Sequence, residues 1–231
     1  DATRVNVTIN GIPLNDSESH GVFWVNLPDF ASSTQSMQLQ RGVGSSTNGA
    51  GAFGASLSLS TNGIQEKAYG ELGFSGGSFN TLKANVQFGS GIIGGEGKFK
   101  SEFTGRISTI QSDGYIDRAS ADLKSVYLSA SIFSEKTLIK AIAFGGHEVT
   151  YQAWYGIDEE TLKTNRKYNP AGEIYDENGE LTGFYENQVD DYKQDHYQLH
   201  INHDFGNDWT GNLAFHYTYG RGFYEQYEND A

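Results

Sequence analysis

The feature that most constrains this chain is a two-residue alternation of apolar and polar side chains, sustained over long segments and broken by turn chemistry. Within 79–88, Leu82, Ala84, Val86 and Phe88 share one face and Thr81, Lys83, Asn85 and Gln87 the other. Within 192–205, Tyr197, Leu199, Ile201 and Phe205 oppose Gln194, His196, Gln198, His200 and Asn202. After Gly206, Asn207 and Asp208 the pattern resumes, with Trp209, Leu213, Phe215, Tyr217 and Tyr219 against Asn212, His216 and Thr218. Val126, Leu128, Ala130 and Ile132 alternate with Ser125, Tyr127, Ser129 and Ser131, and segments 66–75 and 98–110 follow the rule more weakly. Segment 137–156 is ambiguous, because Leu138, Ile142 and Phe144 share a face with Lys140.

Alternation fits two antiparallel architectures. In a soluble sheet the apolar face meets a core and the polar face meets water. In a transmembrane barrel the apolar face meets lipid and the polar face lines the lumen. Three features favour the barrel. The segments exceed the ~5–6 residues usual in soluble strands. Aromatic residues stand near segment ends, with Phe205 and Trp209 around one turn and Tyr217 and Tyr219 further along, as interfacial girdles require. Short connections at 76–78, 134–136 and 206–208 contrast with a long stretch at 157–191. Seven crossings are predicted, over 66–75, 79–89, 98–110, 119–133, 137–155, 191–205 and 209–223. An open seven-stranded sheet has two unpaired edges that lipid cannot satisfy, so the expectation is a fragment of a larger barrel.

Composition supports strands and removes several functions. The 29 Gly, 14 Tyr and 14 Phe with only 3 Pro suit strands and tight turns better than long helices. With a net charge of -13 and no Lys/Arg cluster, the chain lacks the basic face that nucleic acid requires. Mean hydropathy is -0.53, no segment approaches the ~18 consecutive apolar residues of a spanning helix, and residues 1–10 do not read as a signal peptide. Cys is absent, and neither a nucleophile–base–acid set nor a zinc spacing occurs, so no enzyme and no cofactor is expected.

Residues 1–64 carry motifs instead of alternation. Val5 to Asn10 reads as a short strand, and Asn10-Gly11-Ile12-Pro13 as a turn needing positive φ. Leu27-Pro28-Asp29-Phe30 offers an Asp that starts a short helical turn. Then come Gln40-Arg41-Gly42, a Gly/Ser-rich connection, Asn48-Gly49-Ala50-Gly51-Ala52-Phe53-Gly54-Ala55, and a further strand. A phosphate loop would need a helix next, and none follows. This order of motifs resembles the second half of the plug of TonB-dependent outer-membrane receptors. Residues 112–119 and 150–156 resemble early barrel segments of the same family, so the resemblance covers most of the chain. It departs from the common plug pattern where Gln38 or Gln40 replaces an acid and Val43 a proline.

The resemblance implies a mainly β fold, a fragment of a plugged transmembrane antiparallel barrel of about 22 strands. Residues 1–64 would be the C-terminal part of the plug. Residues 65–231 would be the N-terminal barrel strands, with an acidic outer loop at about 157–191. It implies import of a scarce nutrient (iron–siderophore, haem, cobalamin, oligosaccharide or peptide) across the outer membrane of a Gram-negative bacterium. The partners would be that ligand, outer-membrane lipid, and the TonB complex through a segment not present in this chain. A passive or structural outer-membrane barrel and a soluble all-β binding module are the alternatives.

Asn10, Gly11, Pro13, Arg41, Gly42, Gly49, Gly51, Phe53 and Gly54 form the structural motif of the plug. Arg41 is expected as a buried or lumen-facing cation paired with barrel carboxylates. The loop at 14–24 holds Asp16, Glu18, His20 and Trp24, which in such receptors would look outward towards ligand; an ordinary solvated loop is the other reading. His196, His200 and His216 share one face, and if Phe205 pairs with Trp209, His216 lies opposite Gln198. Haem or a metal would suit three imidazoles, but a polar lumen wall touching the plug explains them without a ligand. Segment 157–191 gives a negative outer field and a hairpin at 173–185 around Asn178-Gly179, not a Ca²⁺ loop.

Overall fold

The computed structural model describes residues 2–43, 49, 51–95 and 99–228. Much of the Gly/Ser-rich connection (Gly44, Ser45, Ser46, Thr47, Asn48 and Ala50) lies outside the described residues, as does Lys98 at the expected start of the third crossing.

Two sheets dominate. The small one contains β1 (Val5–Ile9), β2 (Ile12–Pro13), β3 (Thr34–Arg41) and β4 (Ala55–Thr61), in the order β2-β1-β4-β3. Asn10 (φ 55°) and Gly11 (φ 81°) make the β1–β2 turn, as two successive left-handed residues do in a tight hairpin. β1 runs parallel to β4, and β3 antiparallel to it. The large sheet has seven antiparallel strands: β5 (Ala68–Gly76), β6 (Leu82–Ser90), β7 (Lys100–Ser112), β8 (Ala121–Phe133), β9 (Thr137–Tyr151), β12 (Val189–Gly206) and β13 (Trp209–Tyr224). Between β9 and β12 lie helix α1 (Glu159–Thr164) and the hairpin β10 (Glu173–Tyr175) and β11 (Leu181–Phe184).

All seven expected strands are present, and the two faces of the large sheet differ as barrel alternation requires. One face exposes Leu72, Phe74, Leu82, Val86, Ile107, Val126, Leu128, Ile132, Leu213 and Phe215. Phe88, Phe103, Phe205 and Trp209 stand near one edge of this apolar band, and Lys124, His147, Asp195 and Arg221 near the other. The opposite face buries Glu102, Thr104, Arg106, Ser108, Ser125, Ser129 and Ser131. Among the described residues no helix is long and apolar enough to cross a membrane; spanning strands leave no such signal.

The small sheet packs on this polar face. Ile9, Leu27, Phe30 and Leu59 meet Tyr127, Ile142 and Phe144 of the wall in one buried cluster, with Phe30 and Phe144 at 4.9 Å between ring centroids. That contact resolves the ambiguity of 137–156. Ile142 and Phe144 are apolar on the inner face because they serve the inter-sheet core, while Lys140 beside them donates to the Asn62 carbonyl at 2.8 Å. Gly146, next on that face, lies under Pro28, where an added Cβ would sit 2.3 Å from the proline Cδ.

Four expectations need correction. The first connection runs over 77–81 and is longer than the expected 76–78. Successive antiparallel strands reverse, so 77–81, 113–120 and 152–188 lie at one end of the sheet (the loop end), and 91–99, 134–136 and 207–208 at the other (the turn end). Strand β9 stops at Tyr151, not 155, because Gln152 turns its buried amide to the carbonyls of Val189 and Glu225. Phe205 does not pair with Trp209; a bulge between Asp204 and Gly206 puts Gly206 there, yet His216 still faces Gln198. In the β10–β11 turn only Gly179 has positive φ, because Asp176 Oδ1 accepts from the Asn178 and Glu180 amides and shapes a wider turn than a two-residue hairpin.

Candidate functional site

The small sheet is fixed to the wall by charge at one point. Asp29 precedes the 3-10 turn Phe30–Ser33 as its cap, but adopts φ 52° and turns its carboxylate outward. Arg106 of β7 donates to Asp29 Oδ2 at 3.0 Å, and Lys83 of β6 to Oδ1. The same guanidinium reaches Ser33, Ser108 and Ser125 at 2.7, 2.6 and 2.9 Å, so its donors are met although the side chain is 2% exposed. Burial pushes the Asp29 carboxyl up, but hydrogen bonds from Lys83, Ser32 and Ser108 and the charge of Arg106 outweigh it and hold Asp29 below the usual carboxylate range.

Among the described residues Arg41 does not play this role. It ends β3 with an exposed side chain, and no carboxylate lies at ion-pair distance among the described residues. β3 is the edge strand of the small sheet and is exposed along nearly its whole length. The buried pair therefore has the reverse polarity, with its carboxylate on the small sheet and its cations on the wall. Other motif residues stay local. Gly42 (φ 79°) donates to the Gly54 carbonyl, Gly54 donates to Arg4, Gly49 and Gly51 hold positive φ, and Pro13 and Phe53 are exposed. Asn10 does more than turn the chain. Its Oδ1 accepts from the Thr61 amide at 3.0 Å, and its Nδ2 donates to Gln198 of the wall at 3.1 Å.

Beside this anchored region the two sheets part and leave a cleft of about 680 Å³. One side is the loop after β2, including Asp16, Phe23 and Val25; the other is β12 and β13, including Asp190, Tyr192, His196, His216 and Thr218. Asn15 builds the loop, accepting from the Val7 amide and donating to the carbonyls of Val5 and His20. Asp16 accepts from the amides of Ser19 and Glu18 at 2.7 and 2.9 Å, and these bonds hold its carboxyl below the usual range. Glu18, His20 and Trp24 are exposed on the same loop but do not line the cleft.

The three histidines face inward but do not converge as a ligand set. His196 stacks on Phe144 at 4.6 Å, its Nε2 lies 3.1 Å from Gln194 Oε1, and Thr218 Oγ1 lies 3.1 Å from its Nδ1. A proton on Nε2 satisfies both bonds. His200 bonds Gln198 and stands outside the cleft, which His196 and His216 line. No group of three His, Cys, Asp or Glu side chains that could hold a metal occurs among the described residues.

The long connection is fastened to the sheet. Arg118 lies 3.5 Å over the Phe184 ring and donates to the Asn169 carbonyl; Tyr151 donates to the Tyr185 carbonyl at 2.7 Å. Buried Asn169 bridges Asp117 and Gln152. Sequence reasoning counted Asp190 only within the acidic stretch and Arg118 only within the segment 112–119, and gave Tyr192 no role. It also missed α1, although Asp158 before Glu159 and Glu160, with Lys163 in the last turn, is a helix-start signal.

No family profile fits the sequence, and no curated protein is significantly similar to it. Solved structures are similar in fold. The alcaligin outer-membrane receptor FauA from Bordetella pertussis superposes with a TM-score of 0.67 at 16% identity, over 96% of this chain and 31% of its own. The ferric citrate transporter FecA gives 0.67 at 14%, over 97% and 32%. The ferric-catecholate import receptor Fiu from E. coli K12 gives 0.66 at 13%, over 95% and 32%. This chain thus spans about a third of the length of these structures. It has the fold of the TonB-dependent outer-membrane receptors, as part of a plug seated against strands of an antiparallel transmembrane barrel.

Proposed function

We propose that residues 1–64 are the late plug and residues 65–231 the opening barrel strands of a receptor that imports a scarce nutrient across the outer membrane. The observation that carries this reading is the inverted large sheet. Its apolar band faces outward, while its polar face grips a small sheet through Asp29, Arg106 and Lys83. A passive pore has no use for an ion-paired occupant of its lumen. The nutrient rests in the cleft between the loop after β2 and β12–β13, near the loop end, which is the outer end on this reading. The similar structures are described as receptors or transporters for alcaligin, ferric citrate and ferric catecholates, which makes an iron chelate the first ligand to test. Energy would come from the TonB complex.

The test is uptake of radiolabelled ferric chelates, haem and cobalamin by cells with and without the full-length gene. Uptake that needs the gene and stops when the inner-membrane proton gradient is collapsed is the expected result. Gene-dependent uptake that survives the collapse would return the protein to the passive barrels.

A further inference from the structure

The charge around the cleft points to the chemical class of its ligand. Asp16 and Asp190 line it from opposite sides, and among the described residues lining it none is Lys or Arg. Glu148 of β9 lies on the same inner face, opposite Tyr192 and diagonal to Asp190. It is 1% exposed, and its Oε2 has no hydrogen-bond partner among the described residues. A buried carboxylate without a counter-charge is expensive, and it becomes favourable when a cation arrives.

The nearby cations are turned elsewhere. Arg106 and Lys83 bond Asp29, and Arg118 is stacked on Phe184. Lys193 and Arg221 alternate with the inward residues of β12 and β13 and so lie on the outer face, where Arg221 pairs with Asp195. At the loop end, the connection 157–188 adds eight acidic side chains against Lys163, Arg166 and Lys167. An approaching anion therefore meets a negative field first and the carboxylates of Asp16 and Asp190 next, with Glu148 buried behind them on the wall.

We infer that the cleft takes a ligand bearing a positively charged organic group, such as an ammonium, and discriminates against anionic chelates. The inference rests on the receptor reading above. Phe23 and Tyr192, which also line the cleft, offer ring faces that suit an organic cation. With no set of three metal-binding side chains among the described residues, the charge belongs to the ligand's own group and not to a bare ion.

The experiment uses the full-length receptor in detergent and three probes. These are a ferric trihydroxamate with a free terminal ammonium, the same chelate N-acetylated, and ferric citrate. The ammonium chelate is expected to bind about tenfold more tightly than its acetylated twin, with ferric citrate the weakest. The double variant Glu148→Gln, Asp190→Asn should bring the twin chelates within about twofold of each other. Asp190→Asn alone should shrink the preference if the double variant does not fold. Ferric citrate binding as tightly as the ammonium chelate, or a preference untouched by both variants, would overturn the charge inference and leave the receptor reading intact. Failure of all three chelates to bind, with no gene-dependent nutrient uptake, would overturn both.

Discussion

The inner wall treats the small sheet differently in its two halves. Over β6 to β9 it grips, with Lys83 and Arg106 on Asp29 and with Tyr127, Ile142 and Phe144 packed on Leu27, Phe30 and Leu59. Over β12 and β13 the hydrogen bonds to the small sheet narrow, among the described residues, to those of Gln198 with Asn10 and the Ile9 carbonyl, and towards the loop end the surfaces separate into the cleft. Anchoring and access are thus placed side by side at one interface. A uniform grip would leave no cleft, and a uniform gap would leave the small sheet undocked.

The gripping half should break most dramatically at its charge. Asp29→Ala leaves Arg106 buried without its carboxylate, which costs about 3–5 kcal/mol. Hydrogen exchange at the amides of 27–33 should accelerate accordingly while β13 is unchanged. Unaltered exchange at 27–33 would show that apolar packing alone holds this half.

Acid should act through the same group with a smaller reach. Because Asp29 is held below its ordinary range, its contribution is complete above the unfolded-state value of about 4 and is lost as pH falls through the lowered native value. Protection at 27–33 should therefore persist at pH 5 and fade only below about pH 4. Loss already near neutrality would contradict this ion pair. Ile142→Val, one methyl from the shared core, should destabilise docking by about 1 kcal/mol, measured as a lower melting temperature. Arg41→Ala should change stability by no more than about 0.5 kcal/mol, as exposed sites do. A large loss there would mean that Arg41 has a partner outside the described residues.

The strands were legible because alternation is local. Ser125 to Ile132 declares both faces without reference to any other part of the chain. Where a second surface intervenes, the code fails. Ile142 and Phe144 looked inconsistent with Lys140 until the small sheet supplied the apolar partner. Arg41 stood out in a motif, and its neighbours in sequence could not reveal that β3 would be an exposed edge. Arg106 lay inside an ordinary alternating strand, and only folding brings Asp29 to it. The loop after β2 and the histidine strands were both candidates, yet their meeting in one cleft depends on a contact between residues nearly two hundred positions apart, such as Asn10 and Gln198. Asp190 was one acid among ten in the stretch 157–191 and Glu148 gave no signal, since acidic residues abound in this chain.

Gly146 carries a mechanical consequence. The ring of Pro28 occupies a notch that exists only because this position has no side chain, and Phe144 and Glu148 rise on either side along the strand. The notch works as a detent: motion of the 27–30 segment along β9 in either direction runs into a bulky neighbour. A force along β9 must first lift this segment off the wall, so the resistance to displacing it depends on the direction of the force.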